Sequence, residues 1–581
     1  MSSERAMESV IIADCGARTT RTFLVETVDQ VYRLVAQGES PSTIEPPLDD
    51  LSAGVRDALA VLEGAAARRM VDRNRPIMPQ EETGNGADAF LATVAATPPL
   101  RLALLSAGSG PLVSALLDVV RRSPVTALPA LTVEENGRVD DRVRDTVGTI
   151  VRHQPNLLLL VAGGNPERAL RTVLRLADEI VTAAVLAGAE EQPAILFVGD
   201  ERWHEMVTRG FGRGAEIGLV ASGGADVGTL AAVIEQEVLD FATRRATATR
   251  PGFEDVAGWS MSPPLARSRA IELVNRFMAV HFGSEVLTVD LEDGATICWA
   301  NGSRHAALTE PALDLALGAG NLLTTLTLAE VVRWLPFTAS EDDVARWILN
   351  RALRPYTVAV TERDRAIEAA VTRELIRTGA AELRDAGVGE LAPDLIVGGR
   401  FFGHWPDLAG AMLALIDGVQ PHTARGLTRV ALDLDGLLPA IGALGVVEPG
   451  RTAELFEHDG LVELGACLAV SVRPGEQVRG QLDYASGESR PFALTGGTLL
   501  RLPLPMGERA ARLRIDPGGG AAVGRGAAGA GATFEGEDAP LGGVVGLVID
   551  ARGRPLDLPR EEQERVARLA AWATAMRAAQ D

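Results

Sequence analysis

Over its first 400 or so residues the chain alternates short apolar runs with longer amphipathic stretches, the pattern of successive α/β units. Runs at 10–13, 102–106, 157–162, 194–198, 217–221, 286–290 and 395–397 are apolar enough to predict buried strands. Between them, spacing of three and four residues predicts helices over 166–187, 227–244, 341–352 and 364–386. Pro166 suits the first turn of its helix, where a missing N–H costs nothing. After about Leu461 the pattern changes to short strands punctuated by Gly and Pro, which predicts a small β-domain. A terminal helix over 560–578 follows, with Glu561 and Glu562 in its first turn, where the helix dipole favours them. Two stretches lack periodicity. Residues 72–88 predict an exposed insertion, and the Gly- and Ala-rich run 516–543 a flexible loop.

Length changes this picture little: 581 residues exceed one core, so several domains are expected. The expected division is 1–260, 261–460 and 461–581. Charge matters more. The net charge is −22, and every one of the 56 basic residues is Arg, with no lysine. That excludes Schiff-base chemistry, a GxxxxGK[ST] phosphate loop and a kinase-type lysine. An acidic chain without a basic stripe predicts no nucleic-acid partner. No apolar run is long enough to span a membrane and Met1–Ser9 has no signal-peptide layout, so a cytoplasmic location without membrane partner is expected. Cys15, Cys298 and Cys467 form no CxxC pair and are expected as core residues.

Three glycine-bearing strand ends carry the candidate chemistry. The first reads Asp14-Cys-Gly-Ala-Arg-Thr-Thr, where Gly16, Thr19 and Thr20 follow an Asp at the end of an apolar run. Backbone N–H groups and hydroxyls in such a hairpin can face phosphate oxygens while the Asp reaches magnesium; an ordinary turn uses the same residue types. The layout recurs about 275 residues on, with Asp290, Gly294 and Thr296, which suggests a duplicated fold with two facing loops. The third end is Gly398-Gly399, a pair that lets backbone approach a flat ligand or merely turns the chain. His404 and the aromatics beside it read as an apolar wall, and "RGRP" at 552–555 as a partner-facing turn or a plain loop.

Together these ends resemble the actin, hexokinase and heat-shock chaperone ATPase (ASKHA) superfamily. Four stretches are more specific: "LLSAGSGPLVSALL" from Leu104, "LLLLVAGGNPERAL" from Leu157, "WILNRALRPYTVAVTERDRAIEAAVTRELIR" from Trp347 and "GGVVGLVIDARGRPLDLP" from Gly542. They resemble the MutL family associated with adenosylcobalamin-dependent glutamate mutase, unrelated to the mismatch-repair protein of that name. The resemblance implies an α/β, duplicated actin-like (ribonuclease H-like) two-lobed ATPase fold with a small C-terminal β-domain and terminal helix. It implies ATP and Mg2+ in the cleft, with Asp14 and Asp290 holding the metal and polarising water. Thr19, Thr20 and Thr296, with Gly16 and Gly294, would contact phosphate, and Gly398 and Gly399 would bound adenosine. The implied role is to reactivate or assemble an adenosylcobalamin-dependent mutase, with a homo-oligomer as a further possibility.

The chain departs from the family pattern at the phosphate loops. Where the first loop is expected as Asp-x-Gly-Ser-Thr-x-Thr-Lys, this sequence has Ala17, Arg18 and Arg21; Arg18 could face phosphate or fill its place. The second loop carries Glu292 and Asp293 at glycine positions and Ile297 for an acid. One unit-charge repulsion at about 4 Å costs roughly 4 kcal/mol at an effective dielectric of about 20. Hydrolysis is therefore in doubt, and a scaffold with a degenerate, nucleotide-deficient cleft is the alternative.

Overall fold

Two sheets of this protein repeat one strand order. The computed structural model describes residues 7–44, 47–94, 100–122, 125–134, 136–162, 167–186, 192–211, 216–224, 226–249, 251–310, 313–316, 318–516, 518 and 520–577. By internal contacts it divides into one unit of residues 1–96 with 251–581 and another of 97–250.

In the larger unit, β1 (Ser9–Cys15), β2 (Thr19–Val28) and β3 (Val31–Pro41) form an antiparallel meander, and α1 (Leu51–Ala66) follows. Parallel to β1 lies β4 (Ala89–Val94), and parallel to that β5 (Leu265–Ala266). The order is β5-β4-β1-β2-β3. Helix α2 (Arg267–His281) leads directly out of β5. Next comes a second meander of β6 (Val286–Asp290), β7 (Ala295–Asn301) and β8 (Arg304–Glu310). After α3 (Glu362–Leu383), β9 (Leu395–Gly398) runs parallel to β6; after α4 (Leu408–Val419), β10 (Leu427–Leu432) runs parallel to β9. The order β10-β9-β6-β7-β8 is the first order again, with the same senses. This duplicated ribonuclease H-like arrangement is the actin-like fold that the resemblance implies.

The second sheet continues past residue 460. After α5 (Leu438–Val447), β11 (Val462–Ser471) pairs antiparallel with β10; β13 (Gly546–Asp550) lies parallel to β11, and β12 (Leu499–Leu502) closes the edge. The four strands Ser489–Thr495, Gln477–Asp483, Arg512–Asp516 and Ala532–Glu535 form a separate antiparallel sheet. The run 516–543, expected as a flexible loop, supplies Ala532–Glu535 to that sheet and the strand Ala522–Val523 to the edge of β11. Burial of Val523 and Phe534 explains the difference, because composition outweighed two well-placed apolar residues. The chain closes with α6 (Glu562–Arg577).

All seven predicted strands are present, extended by up to three residues. Helix α3 starts two residues earlier than its spacing predicts, because the Thr361 hydroxyl accepts the Asp364 N–H and caps it. Pro166, Ala187 and Ala578, at the ends of expected helices, lie outside the described residues. The three cysteines are free and buried. Among the described residues no helix is long and apolar enough to cross a membrane.

The unit of residues 97–250 has a parallel sheet of its own. Its strands run Ile217–Ala221, Ala194–Gly199, Leu157–Ala162, Leu100–Ala107, and the two short strands Val125–Ala127 and Leu131–Val133 both pair parallel with Leu100–Ala107. With those two short strands taken as one interrupted edge strand, the order is the 2-1-3-4-5 of doubly wound folds.

Helix α2 is seated by a close approach. A Cβ at Gly442 of α5 would stand 2.2 Å from the Ala270 carbonyl oxygen of α2, whereas one at Gly445 would meet only Thr452, at 3.6 Å. Gly442→Ala should therefore destabilise the protein by roughly 1–3 kcal/mol through overpacking. Gly445→Ala should be neutral or stabilising by up to about 1 kcal/mol through helix propensity. Chemical denaturation of the two variants checks the contrast.

Candidate functional site

At the ends of β1 and β6 the duplicated hairpins bring Asp14 and Asp290 onto one guanidinium. Arg267, the first residue of α2, donates from Nε to Asp14 Oδ2 at 3.3 Å and from Nη1 to Asp290 Oδ2. Its Nη2 donates to Glu292 Oε2 at 3.2 Å. Arg21, paired with Asp14 across β1 and β2, donates from Nη2 to Asp14 Oδ2 at 3.1 Å and to Glu292 Oε2 at 2.6 Å. From β4, Thr93 Oγ1 donates to Asp14 Oδ1 at 2.7 Å. Every one of these side chains is buried.

The second loop closes on the first. Asp293 Oδ1 accepts the backbone N–H of Ala17 at 3.0 Å and of Arg18 at 3.4 Å. These are the donors a phosphate hairpin would turn toward an anion. A Cβ at Gly16 would stand 2.5 Å from Asp293 Oδ2, so only glycine admits the carboxylate there. Arg267 Nε lies 3.7 Å from that same oxygen.

Two guanidiniums thus face four carboxylates, and the carboxylates divide accordingly. Burial alone would raise Glu292, but Arg21 and Arg267 outweigh it and hold its carboxyl down at about 2. Burial lifts Asp293, helped by Glu292 and Asp14 and opposed by Arg267, up to about 7. Burial also raises Asp290, against the pull of Arg267. Desolvated charges persist only when paired, and here cations are too few for every acid to stay ionised.

The remaining predicted residues are placed unevenly. Gly399 belongs to the centre: its N–H donates to Val289 O at 2.8 Å, and a Cβ on it would come within 2.2 Å of Asp290 Oδ1. Gly398 faces the core, where a Cβ would strike Leu432 at 2.5 Å. Gly294 takes φ +93° in the second turn, and Thr296 is buried opposite Asp290 in the ladder. Thr20 lies on the face of β2 away from Arg21, its hydroxyl 3.0 Å from where a Cβ on Gly54 of α1 would stand. The Thr19 and Thr20 hydroxyls are buried without a partner. Sequence reasoning missed Arg267 and Thr93 and noted Arg21 only as a departure. One signal was available: four acids in two loops require buried cations, and the loops themselves offer only Arg18 and Arg21.

In this arrangement the residues do not fit a magnesium nucleotide. The hairpin donors are taken by Asp293, both aspartates are engaged by arginine, and an added phosphate would stand beside Glu292 and Asp293.

Removing one cation leaves carboxylates buried and unpaired, so Arg267→Met should cost about 3–5 kcal/mol in a denaturant titration. Asp293 supplies a pH signature. Its folded-state value, raised to about 7 from an ordinary 3.8, favours the folded state at low pH, and this contribution is lost as pH rises through about 7. Asp293→Asn does not titrate. Its melting temperature relative to the unmodified protein should climb between pH 5 and pH 8; a flat difference would contradict the assignment.

Solved structures similar to the chain include a ROK family glucokinase from Streptomyces griseus in complex with glucose and AMPPNP, at 12% identity over 76% of this chain and 100% of that one, TM-score 0.28. An acetate kinase from Porphyromonas gingivalis matches at 11% over 76% and 100%, TM-score 0.26. A xylulose kinase from Bifidobacterium adolescentis matches at 11% over 77% and 94%, TM-score 0.27. At such scores the fold rests on the order of the two sheets and not on these neighbours. No curated protein matches the sequence. The family model described as MutL protein matches residues 10–459, more than half of the chain, so the chain belongs to the MutL family, the glutamate mutase L proteins.

Proposed function

We propose that this protein serves an adenosylcobalamin-dependent mutase as a binding and assembly partner, through an actin-like fold whose phosphate cradle is filled by its own side chains. The observation that supports this reading is the Asp293 carboxylate on the Ala17 and Arg18 N–H groups, the donors a nucleotide phosphate would need. A carboxylate there makes charge-assisted hydrogen bonds without a ligand. It is tethered in the same chain, so a nucleotide must displace it before gaining any contact. The partner follows from the family; the cradle bears on how the partner is served.

A second reading, ATP-dependent reactivation of the mutase, is favoured by Asp14 and Asp290 converging on one point with Gly399 beside them. It requires the two loops to part, taking Asp293 off the first hairpin and freeing both aspartates for magnesium.

Calorimetric titration with ATP and Mg2+ separates the two. The partner reading expects no heat at millimolar ATP, together with a complex between this protein and a purified adenosylcobalamin-dependent glutamate mutase whose sedimentation is the same with and without ATP. Micromolar ATP binding that Asp14→Ala abolishes would overturn it in favour of the second reading. Absence of any complex with the mutase would remove the partner role itself.

A further inference from the structure

The stretch from Trp347, which carries much of the family resemblance, keeps several of its apolar side chains out of the core. Leu349 is 47% exposed, Leu353 80%, Tyr356 61%, Val358 64% and Val360 73%. Elsewhere among the described residues, exposed large apolar side chains stand singly or in pairs along the chain, which is ordinary for a protein surface. Five within so short a segment are not.

The segment is anchored so that these side chains face outward. Arg351, buried in the helix Glu341–Leu353, donates from Nη1 to the Thr357 carbonyl, from Nε to the Leu315 carbonyl at 2.8 Å and from Nη2 to Glu368 at 2.8 Å. Arg365 Nη1 donates to the Val360 carbonyl at 2.7 Å, and Ala359 is buried between Val358 and Val360. Two guanidiniums and one inward methyl thus fix the backbone that carries the exposed valines.

Charge indicates what covers this face. At about 3.6 residues per turn, Asp342, Arg346, Leu349 and Leu353 share one side of the helix, and all four are exposed. Asp342 at the helix start and Arg354 just past its end have no ion-pair partner among the described residues. A surface acidic at one end, basic at the other and apolar between them is complementary to itself when turned end for end. A second copy laid antiparallel, Leu349 against Leu349, brings each Asp342 opposite the other copy's Arg354, the reciprocal contacts of a two-fold interface.

The area is sufficient as well. At roughly 100–150 Å² for a fully exposed large apolar residue, the five expose about 300–500 Å², and two copies about twice that. Apolar surface makes up about 60% of an ordinary interface, so the whole contact amounts to about 1,000–1,600 Å², within the range of specific association.

We infer that this face is a homodimer interface, in which the helix Glu341–Leu353 and residues 354–360 of one chain dock antiparallel on the same elements of a second copy. It involves none of the charge cluster and does not depend on the mutase partnership.

Sedimentation equilibrium of the full chain tests the inference. The unmodified protein should show a monomer–dimer equilibrium with a dissociation constant of roughly micromolar order. Leu353→Glu should remain a monomer at about 100 μM, well above that constant, with an unchanged far-ultraviolet circular dichroism spectrum reporting that it is folded. Asp342→Arg and Arg354→Asp should each weaken the dimer about tenfold, because the two-fold converts two exposed ion pairs into like-charge contacts. The double reversal should restore it. A monomeric unmodified protein at that concentration, a dimer that Leu353→Glu or both single reversals leave intact, or a double reversal no tighter than the singles would each overturn the proposal. A chain that is monomeric alone, and whose complex with a purified adenosylcobalamin-dependent mutase is lost in Leu353→Glu, would overturn it too and give the face to that partner.

Discussion

The bridging of Asp14, Asp290 and Glu292 by Arg267, with Arg21 beside it, is the interaction on which the larger unit depends. Its members come from two hairpins and from the start of α2, with Asp14 of the first hairpin 253 residues before Arg267. Buried charges must be paired with good geometry, so each segment fixes the others: α2 cannot shift without stranding Asp290, and neither loop can withdraw without stranding an arginine. The surrounding glycines serve that geometry. Gly436 leaves room for the Arg21 guanidinium, 2.3 Å from where its Cβ would stand, Gly399 lies against Asp290, and Gly16 admits Asp293.

The same cluster accounts for the acids that the two facing hairpins of the duplicated fold bring together. Metal-binding aspartates in an open cleft are compensated by the metal and its ligand; here they are compensated by arginine. Once Arg21 and Arg267 supply the positive charge, Glu292 becomes favourable because both guanidiniums hold it ionised. Asp293 then finds backbone donors on the first hairpin, although burial keeps its proton nearly as stable as its charge at neutral pH. Residues that look electrostatically wrong beside a triphosphate are thus paired within the protein itself.

A second buried network follows the same logic. Arg552 donates to Asp417 at 2.6 Å and to Asp550 at 3.0 Å, and its guanidinium lies 4.9 Å from the Trp572 ring centroid. The "RGRP" segment, legible only as a turn, is therefore an internal anchor between the end of β13, helix α4 and the terminal helix. Asp550 is held far below the ordinary carboxylate range by Arg552 and Arg554, which outweigh its burial.

The strands, the helix starts at Val227 and Glu341 and the repeat of Asp-bearing hairpins were legible because they are local: apolar runs, three- and four-residue spacing and a turn glycine act over a few residues, whereas the Thr361 cap that starts α3 earlier was not read. The sequence also carried the family, through long stretches around Leu104, Trp347 and Gly542, and it raised the conflict posed by Glu292 and Asp293. What it could not determine was the resolution of that conflict. Whether those acids repel a phosphate or replace one depends on Arg267 standing between the hairpins. No periodicity relates Arg267 to residue 14, and only the parallel pairing of β5 with β4 and the packing of Ala270 under Gly442 bring it there. The order of the sheets and the distance between the loops are properties of chain segments far apart in sequence, so they arise only once the tertiary structure has formed.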